Sequence, residues 1–132
     1  MRYFPAVPFV SRQTTAPTTL NGIRLDAGRL VLISIIGIHH HRHYWKEPHI
    51  FHTARTEFLE DTYDRRAFIP FITGARTCGG ARLARLEITE GLKAFIRLYL
   101  VTRRGDDMTF DYGIALRPNC WNDVEIRRRE RA

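Results

Sequence analysis

From Arg82 to about Leu100, the apolar positions Ala84, Ile88, Leu92, Phe95, Ile96 and Tyr99 recur at the spacing that lines one face of a helix. This is the longest periodic run in the chain and predicts one long helix. Leu30 to Ile36 is almost wholly apolar and β-branched, which predicts a buried strand. Pro5, Pro8 and Pro17 exclude a regular helix from the first twenty residues, so Tyr3 to Thr15 reads as extended. Asn21-Gly22 lies between Thr18-Thr19-Leu20 and Ile23-Arg24-Leu25 and predicts a tight hairpin turn; Asp26-Ala27-Gly28 reads as a second turn. His39 to Phe58 is polar and aromatic, with Pro48 inside, and reads as irregular, as does the polar stretch Asp61 to Arg66. Gly105-Asp106-Asp107 breaks the helix from a last hairpin, with strands expected near Phe110–Leu116 and Val124–Arg128 and Pro118-Asn119 in the connection. The fold class is therefore α+β, with no internal repeats and no linker.

The chain has 132 residues, enough for one domain over residues 1–132 with a modest core. A net charge of +7 invites acidic partners, although a solvated basic surface accounts for it equally well. The tail Arg127-Arg128-Arg129-Glu130-Arg131 reads as a solvated end. Cys78 and Cys120 lie far apart with no C-x-x-C, which argues against a disulfide scaffold or a cysteine zinc site and suits a reducing, cytoplasmic setting. No apolar stretch is long enough to span a bilayer, and nothing at the N-terminus reads as a signal peptide. His39, His40, His41, His43, His49 and His52 could share a metal only if the segment were helical; a solvated loop is the favoured reading.

The candidate chemistry sits in Phe71-Ile72-Thr73-Gly74-Ala75-Arg76-Thr77-Cys78-Gly79-Gly80. Glycines keep side chains away from the cysteine and allow backbone shapes that other residues resist. A helix opening straight after the loop directs free N–H groups and a positive dipole end towards the sulfur. With Arg76 also nearby, the thiol is expected to ionise below its free value of ~8.5, and a thiolate is the form that binds metal. The alternative is a buried structural cysteine.

These residues resemble the haem-ligand loop of the cytochrome P-450 monooxygenases, F-x-x-G-x-R-x-C-x-G. Phe71, Gly74, Arg76, Cys78 and Gly80 fill its five fixed positions, and Ala84 and Glu87 meet the following A-x-x-E. The resemblance runs along nearly the whole chain. Arg2-Tyr3-Phe4-Pro5 looks like the end of the family's E-x-x-R helix and the R-x-[FY]-P after it, with the glutamate falling before Met1. His39, Tyr44-Trp45, Pro48 and Phe51 look like its H-R-D-P-x-x-W-x-x-P-x-x-F stretch. In its F-x-P-x-R-[FW] motif Phe51 and Arg55 match, but Thr53 and Thr56 do not. In the family this arginine locks to the E-x-x-R pair; the missing glutamate and the eroded motif predict that the lock does not form here.

The resemblance implies the C-terminal third of a mainly α enzyme: extended strands and a hairpin, the Cys-ligand loop, one long helix and a C-terminal β hairpin. It implies haem b (iron protoporphyrin IX) with Cys78 as axial iron ligand, and no catalytic side chain within this chain. Arg76 and, by position, Arg12 would bind haem propionates, His39 would lie near the haem edge, and Phe71 would shield the sulfur. Val7, Pro8, Phe9 and Val10 would line one wall of a pocket for a small apolar organic substrate, with Ile114 and Ala115 on another side. Arg82, Arg85 and Lys93 would face an electron donor, a ferredoxin or flavodoxin-type protein or a reductase, unless Arg85 packs its stem instead. The isolated chain is expected to be inactive, because haem held from one face is exposed. The alternatives are a small basic nucleic-acid-binding module, resting on charge alone with no nucleic-acid motif, and a non-functional gene fragment.

Overall fold

The structure is a computed structural model that describes residues 1–104, 109–119 and 124–130. The expected break at Gly105-Asp106-Asp107 and the second thiol, Cys120, lie outside the described residues. The chain divides into two compact units, Met1–Pro70 with Tyr112–Leu116, and Phe71–Asp111 with Arg117–Ala132.

Unit 1 carries four strands: β1 (Phe9–Gln13), β2 (Thr18–Leu20), β3 (Ile23–Leu25) and β4 (Leu30–Ser34). β2 and β3 pair antiparallel across Asn21 and Gly22, both at positive φ (47° and 82°), as a two-residue hairpin turn requires. β1 pairs antiparallel with β4, Val10 opposite Ile33 and Arg12 opposite Val31. The expected buried strand over Leu30 to Ile36 differs in two ways. It stops at Ser34, whose Oγ accepts the Gly37 N–H at 3.0 Å and caps α1 (Ile35–His39). A Cβ at Gly37 would lie 2.8 Å from that oxygen, so the cap depends on a glycine there. The strand is also not buried: only β1 pairs with β4, and Leu30 and Leu32 are 73% and 64% exposed.

The core of unit 1 is small and aromatic. Ile35, Trp45 and Ala67 are its buried apolar side chains, with Pro5 and Pro8. Phe58, Tyr63 and Phe68 surround the Trp45 ring at centroid distances of 5.3, 6.0 and 6.4 Å. The stretch His39 to Phe58 is better ordered than its composition suggested: it holds the end of α1, a run of turns and the start of α2 (Thr56–Leu59).

Two guanidiniums, each 6% exposed, order that stretch. Arg2 donates to the carbonyls of His39 (2.7 Å), Pro48 (2.9 Å) and Ile50 (3.4 Å), with its guanidinium 5.2 Å from the centroid of the Trp45 ring. Arg55 donates to the carbonyls of Lys46, Glu47 and Ile50 and to Glu57 Oε1 at 3.2 Å. Arg55 is thus fixed in place by backbone carbonyls and a carboxylate two residues on. Burial and the neighbouring Arg55 cation lower the Arg2 pKa. For Glu57, burial acts to raise the pKa, but hydrogen bonds from its own backbone N–H, Arg55 and the Lys46 N–H outweigh it and the net shift is downward.

In unit 2, α3 (Ala81–Leu98) is the expected long helix, and none of its eighteen residues is buried. It ends two residues earlier than its periodicity suggested, because Tyr99 turns into β5 (Tyr99–Arg103). The aromatic and β-branched residues there suit a strand, and a ladder is available: β5 pairs antiparallel with β8 (Val124–Arg128), Val101 opposite Ile126. The expected hairpin between Phe110–Leu116 and Val124–Arg128 is therefore not the one formed. β6 (Phe110–Tyr112) pairs instead with β7 (Leu116–Pro118), three residues further on. Among the described residues no helix is long and apolar enough to cross a membrane.

Two consequences for unit 1 can be measured. Glu57→Gln removes a charge-assisted partner of Arg55 and is expected to cost about 1–2 kcal/mol in chemical denaturation. Because the Glu57 pKa is lowered, its contribution is present above the ordinary glutamate value of ~4.3 and is lost as pH falls through the lower folded value. The variant should lose that acid dependence. His39 is wholly buried, and burial lowers its pKa from 6.5 to about 4. Unit 1 should accordingly lose stability as pH falls from 6.5 towards 4, a slope that His39→Asn should flatten in unfolding curves taken across that range.

Candidate functional site

The cysteine loop belongs wholly to unit 2 and is built from short bonds. The Cys78 N–H donates to the Phe71 carbonyl at 3.0 Å and closes the neck. At the tip, residues 74–76 form a 3₁₀ turn in which the Thr77 N–H (3.1 Å) and Oγ1 (2.7 Å) both donate to the Gly74 carbonyl. Gly74 has φ +78°, a left-handed conformation that explains the glycine. Ile72 has φ +61°, which a β-branched residue rarely adopts. Such a residue costs of order 1–3 kcal/mol and persists only where its surroundings hold it.

Cys78 leads directly into α3. Its carbonyl accepts the Ala81 N–H at 3.3 Å, and Gly80 is the N-cap, so no side chain caps the helix. The first-turn N–H groups that a serine or aspartate would satisfy are left without a side-chain acceptor. The thiol is free and exposed, which argues against an inert structural cysteine. A Cβ added at Gly79 would meet nothing within 4 Å, and one at Gly80 would touch only the Cys78 sulfur, at 3.9 Å. The loop thus offers one uncommitted sulfur on an open face. No group of three or more His, Cys, Asp or Glu side chains that could hold a metal ion exists among the described residues.

Arg76 is exposed at the end of the 3₁₀ turn, and its guanidinium makes no hydrogen bond or ion pair among the described residues. Phe71 is half-buried, and the Arg85 guanidinium of α3 lies 5.1 Å from the centroid of its ring. Of the two fates weighed for Arg85, the structure favours packing on the loop over display to a partner. Nothing in the sequence pairs Phe71 with Arg85, which stand on a loop and a helix with no common period. Arg82 and Lys93 are exposed, Lys93 in an ion pair with Glu90 at 2.8 Å.

The other expected site residues lie in unit 1. The Leu116 N–H donates to the Ala6 carbonyl at 2.9 Å and holds the Ile114-Ala115 turn beside the strand that follows. Val7, Phe9 and Ile114 are exposed, Phe9 to 42% and Ile114 to 95%, and Val10 and Ala115 are half-buried. Arg12 is exposed on β1 and donates to the adjacent Ser11 carbonyl at 2.8 Å. His39, expected near a cofactor edge, is wholly buried within unit 1. Its Nε2 accepts the Ile69 N–H at 3.0 Å, and its ring packs 5.5 Å from Phe68. The proton therefore sits on Nδ1, which has no partner among the described residues. The histidine-rich segment gathers no metal site: His40 and His49 stack at 5.4 Å, and His41 and His43 meet Tyr44.

Comparison with known proteins agrees with this geometry. The chain is 33% identical over 136 residues to the probable cytochrome P450 4p3 of Drosophila melanogaster, covering 98% of this chain and 26% of that one. It is 40% identical over 105 residues to the cytochrome P450 4X1 of Mus musculus, covering 76% of this chain and 20% of that one. The structure superposes on the heme domain of cytochrome P450DA with a TM-score of 0.84 at 22% identity, covering 99% of this chain and 30% of that one. It superposes on a zebra fish cytochrome P450 solved with progesterone with a TM-score of 0.79 at 25% identity, covering 98% and 29%. The chain thus spans about a quarter of the length of the curated relatives it matches. Residues 1–119 match the sequence profile described as Cytochrome P450, and with its cysteine loop and fold both in place the chain belongs to that family.

Proposed function

We propose that this chain supplies the C-terminal, thiolate-bearing part of a haem monooxygenase, with Cys78 as the axial ligand of the iron. The observation that carries the reading is the free, exposed Cys78 sulfur at an uncapped helix start with open space over Gly79. The residues present fit haem b: Cys78 would supply a sulfur ligand to its iron, and the open space over Gly79 would leave room for it. When bound, the haem would supply reductive activation of O2 and insertion of one oxygen atom into an apolar substrate.

Everything else falls to the protein. The Cys78 thiolate would donate electron density to the iron, and backbone N–H groups beside it would tune that donation. Gly74 and Gly80 keep the approach clear. Phe71, at the neck of the loop, would help shield the sulfur from water once the rest of the enzyme covers it. Arg76, with no partner of its own among the described residues, would grip a propionate with its planar fork, and Arg12 a second one. Val7, Phe9, Val10, Ile114 and Ala115 would form part of an apolar substrate wall. Arg82 and Lys93 would steer an acidic electron donor of the ferredoxin, flavodoxin or reductase type. The free thiol supports a reducing, cytoplasmic setting for this part of the protein. On this reading the 132 residues are one functional portion that needs the rest of the enzyme for turnover. The nucleic-acid module is not favoured, since the basic charge that suggested it falls on a chain of the cytochrome P450 family.

In the full-length enzyme, Cys78→Ser is expected to abolish the thiolate-type spectrum of the reduced, CO-bound haem; an unchanged spectrum would falsify the assignment. Arg82→Glu is expected to weaken donor binding several-fold at low salt and to flatten its dependence on ionic strength. The partner surface would be wrong if donor affinity and its salt slope both stayed as in the parent.

A further inference from the structure

We infer that Arg85 is a positioning residue for Cys78, acting as a cationic clamp that holds the Phe71 ring and, through Phe71, the loop that carries the thiol. Three observations meet at Phe71. Its ring lies 5.1 Å from the Arg85 guanidinium. Its carbonyl accepts the Cys78 N–H at 3.0 Å. The next residue, Ile72, sits in the left-handed region at φ +61° and needs outside support to stay there.

The bonds within the loop do not supply that support. Those from Thr77 to Gly74 fix the tip, beyond Ile72. The Cys78-to-Phe71 bond closes the neck but does not tie it to anything else. The last residues of the loop run covalently into α3, whereas its first residue reaches the helix through Arg85. Among the described residues no other aromatic or cationic group contacts the Phe71 ring. The clamp therefore ties both ends of the loop to the first turns of α3, so that the thiol and the neck of its loop share one support. A leucine or methionine at position 85 would fill space, but the attraction of a cation for a ring face needs the charge.

Cys78 as iron ligand gives the clamp its purpose, and in that sense the inference rests on the proposed function. The test is made without haem, so the two can fail separately. Hydrogen exchange at the Cys78 amide is read in the 132-residue protein by mass spectrometry or NMR. Arg85→Gln is expected to speed that exchange about two- to fivefold, the range of an exposed cation–π contact. Amides in the second half of α3 should be unchanged, and Arg85→Lys should restore most of the protection. Phe71→Leu should speed the Cys78 amide by a similar factor and leave Arg85→Gln with no further effect. If Arg85→Gln does not fold, comparison of Arg85→Lys with Phe71→Leu decides the matter, since only the second should loosen Cys78. The inference is overturned if Arg85→Gln leaves the Cys78 amide unchanged, if it loosens all of α3 equally, if Lys rescues no better than Gln, or if the two substitutions add independently.

Discussion

The carbonyl of Ile50 accepts from both Arg2 and Arg55, and most of unit 1 is arranged around that meeting point. The stretch from His39 to Phe58 has little regular structure, so its backbone acceptors must be met by side chains or water. Seven donations from two guanidiniums serve five carbonyls and one carboxylate within it. Two like charges in so small a core would repel, and Glu57 is the one carboxylate bonded there. This explains how a unit with so few buried apolar side chains keeps Trp45 fixed at its centre. It also explains why Arg55 can be ordered although the residues around it depart from the family's motif.

Unit 2 follows a different economy. Its working part is a loop of about eight residues whose shape comes from two left-handed residues, one neck bond and one bifurcated tip acceptor. Gly74 is suited to its conformation and Ile72 is not, so the loop holds strain beside the residue that matters most. Strain of that kind is characteristic of functional sites, where geometry is set by neighbours rather than by local preference.

Some of this was legible in the sequence and some was not, for identifiable reasons. The Asn21-Gly22 turn is local chemistry, and the helix that starts at Ala81 follows from a long periodic run; both are where the residues put them. The order Phe71, Gly74, Arg76, Cys78, Gly80 made the loop legible because it fills the fixed positions of a motif of the family to which the chain belongs. The end of α3 was misplaced because Tyr99 satisfies the helical period as well as a strand, and the choice is made by its partner Arg128, far along the chain. β4 looked buried because its composition reflects a sheet face that this chain does not itself cover. His39 and Arg85 were unreadable for a shared reason: each is defined by one distant contact, with the Ile69 N–H or the Phe71 ring, and no spacing rule encodes either.

The exposure of α3 also bears on how unit 2 melts. A helix with no buried residue releases little ordered water when it forms, so the heat-capacity change and the denaturant slope that normally accompany folding are small for it. Within these 132 residues alone, its stability then varies little with temperature near the optimum and its unfolding is gradual rather than abrupt. The segment that starts at the thiol is thus held mainly by backbone hydrogen bonds, whose strength cooling does not erode as it erodes hydrophobic contacts.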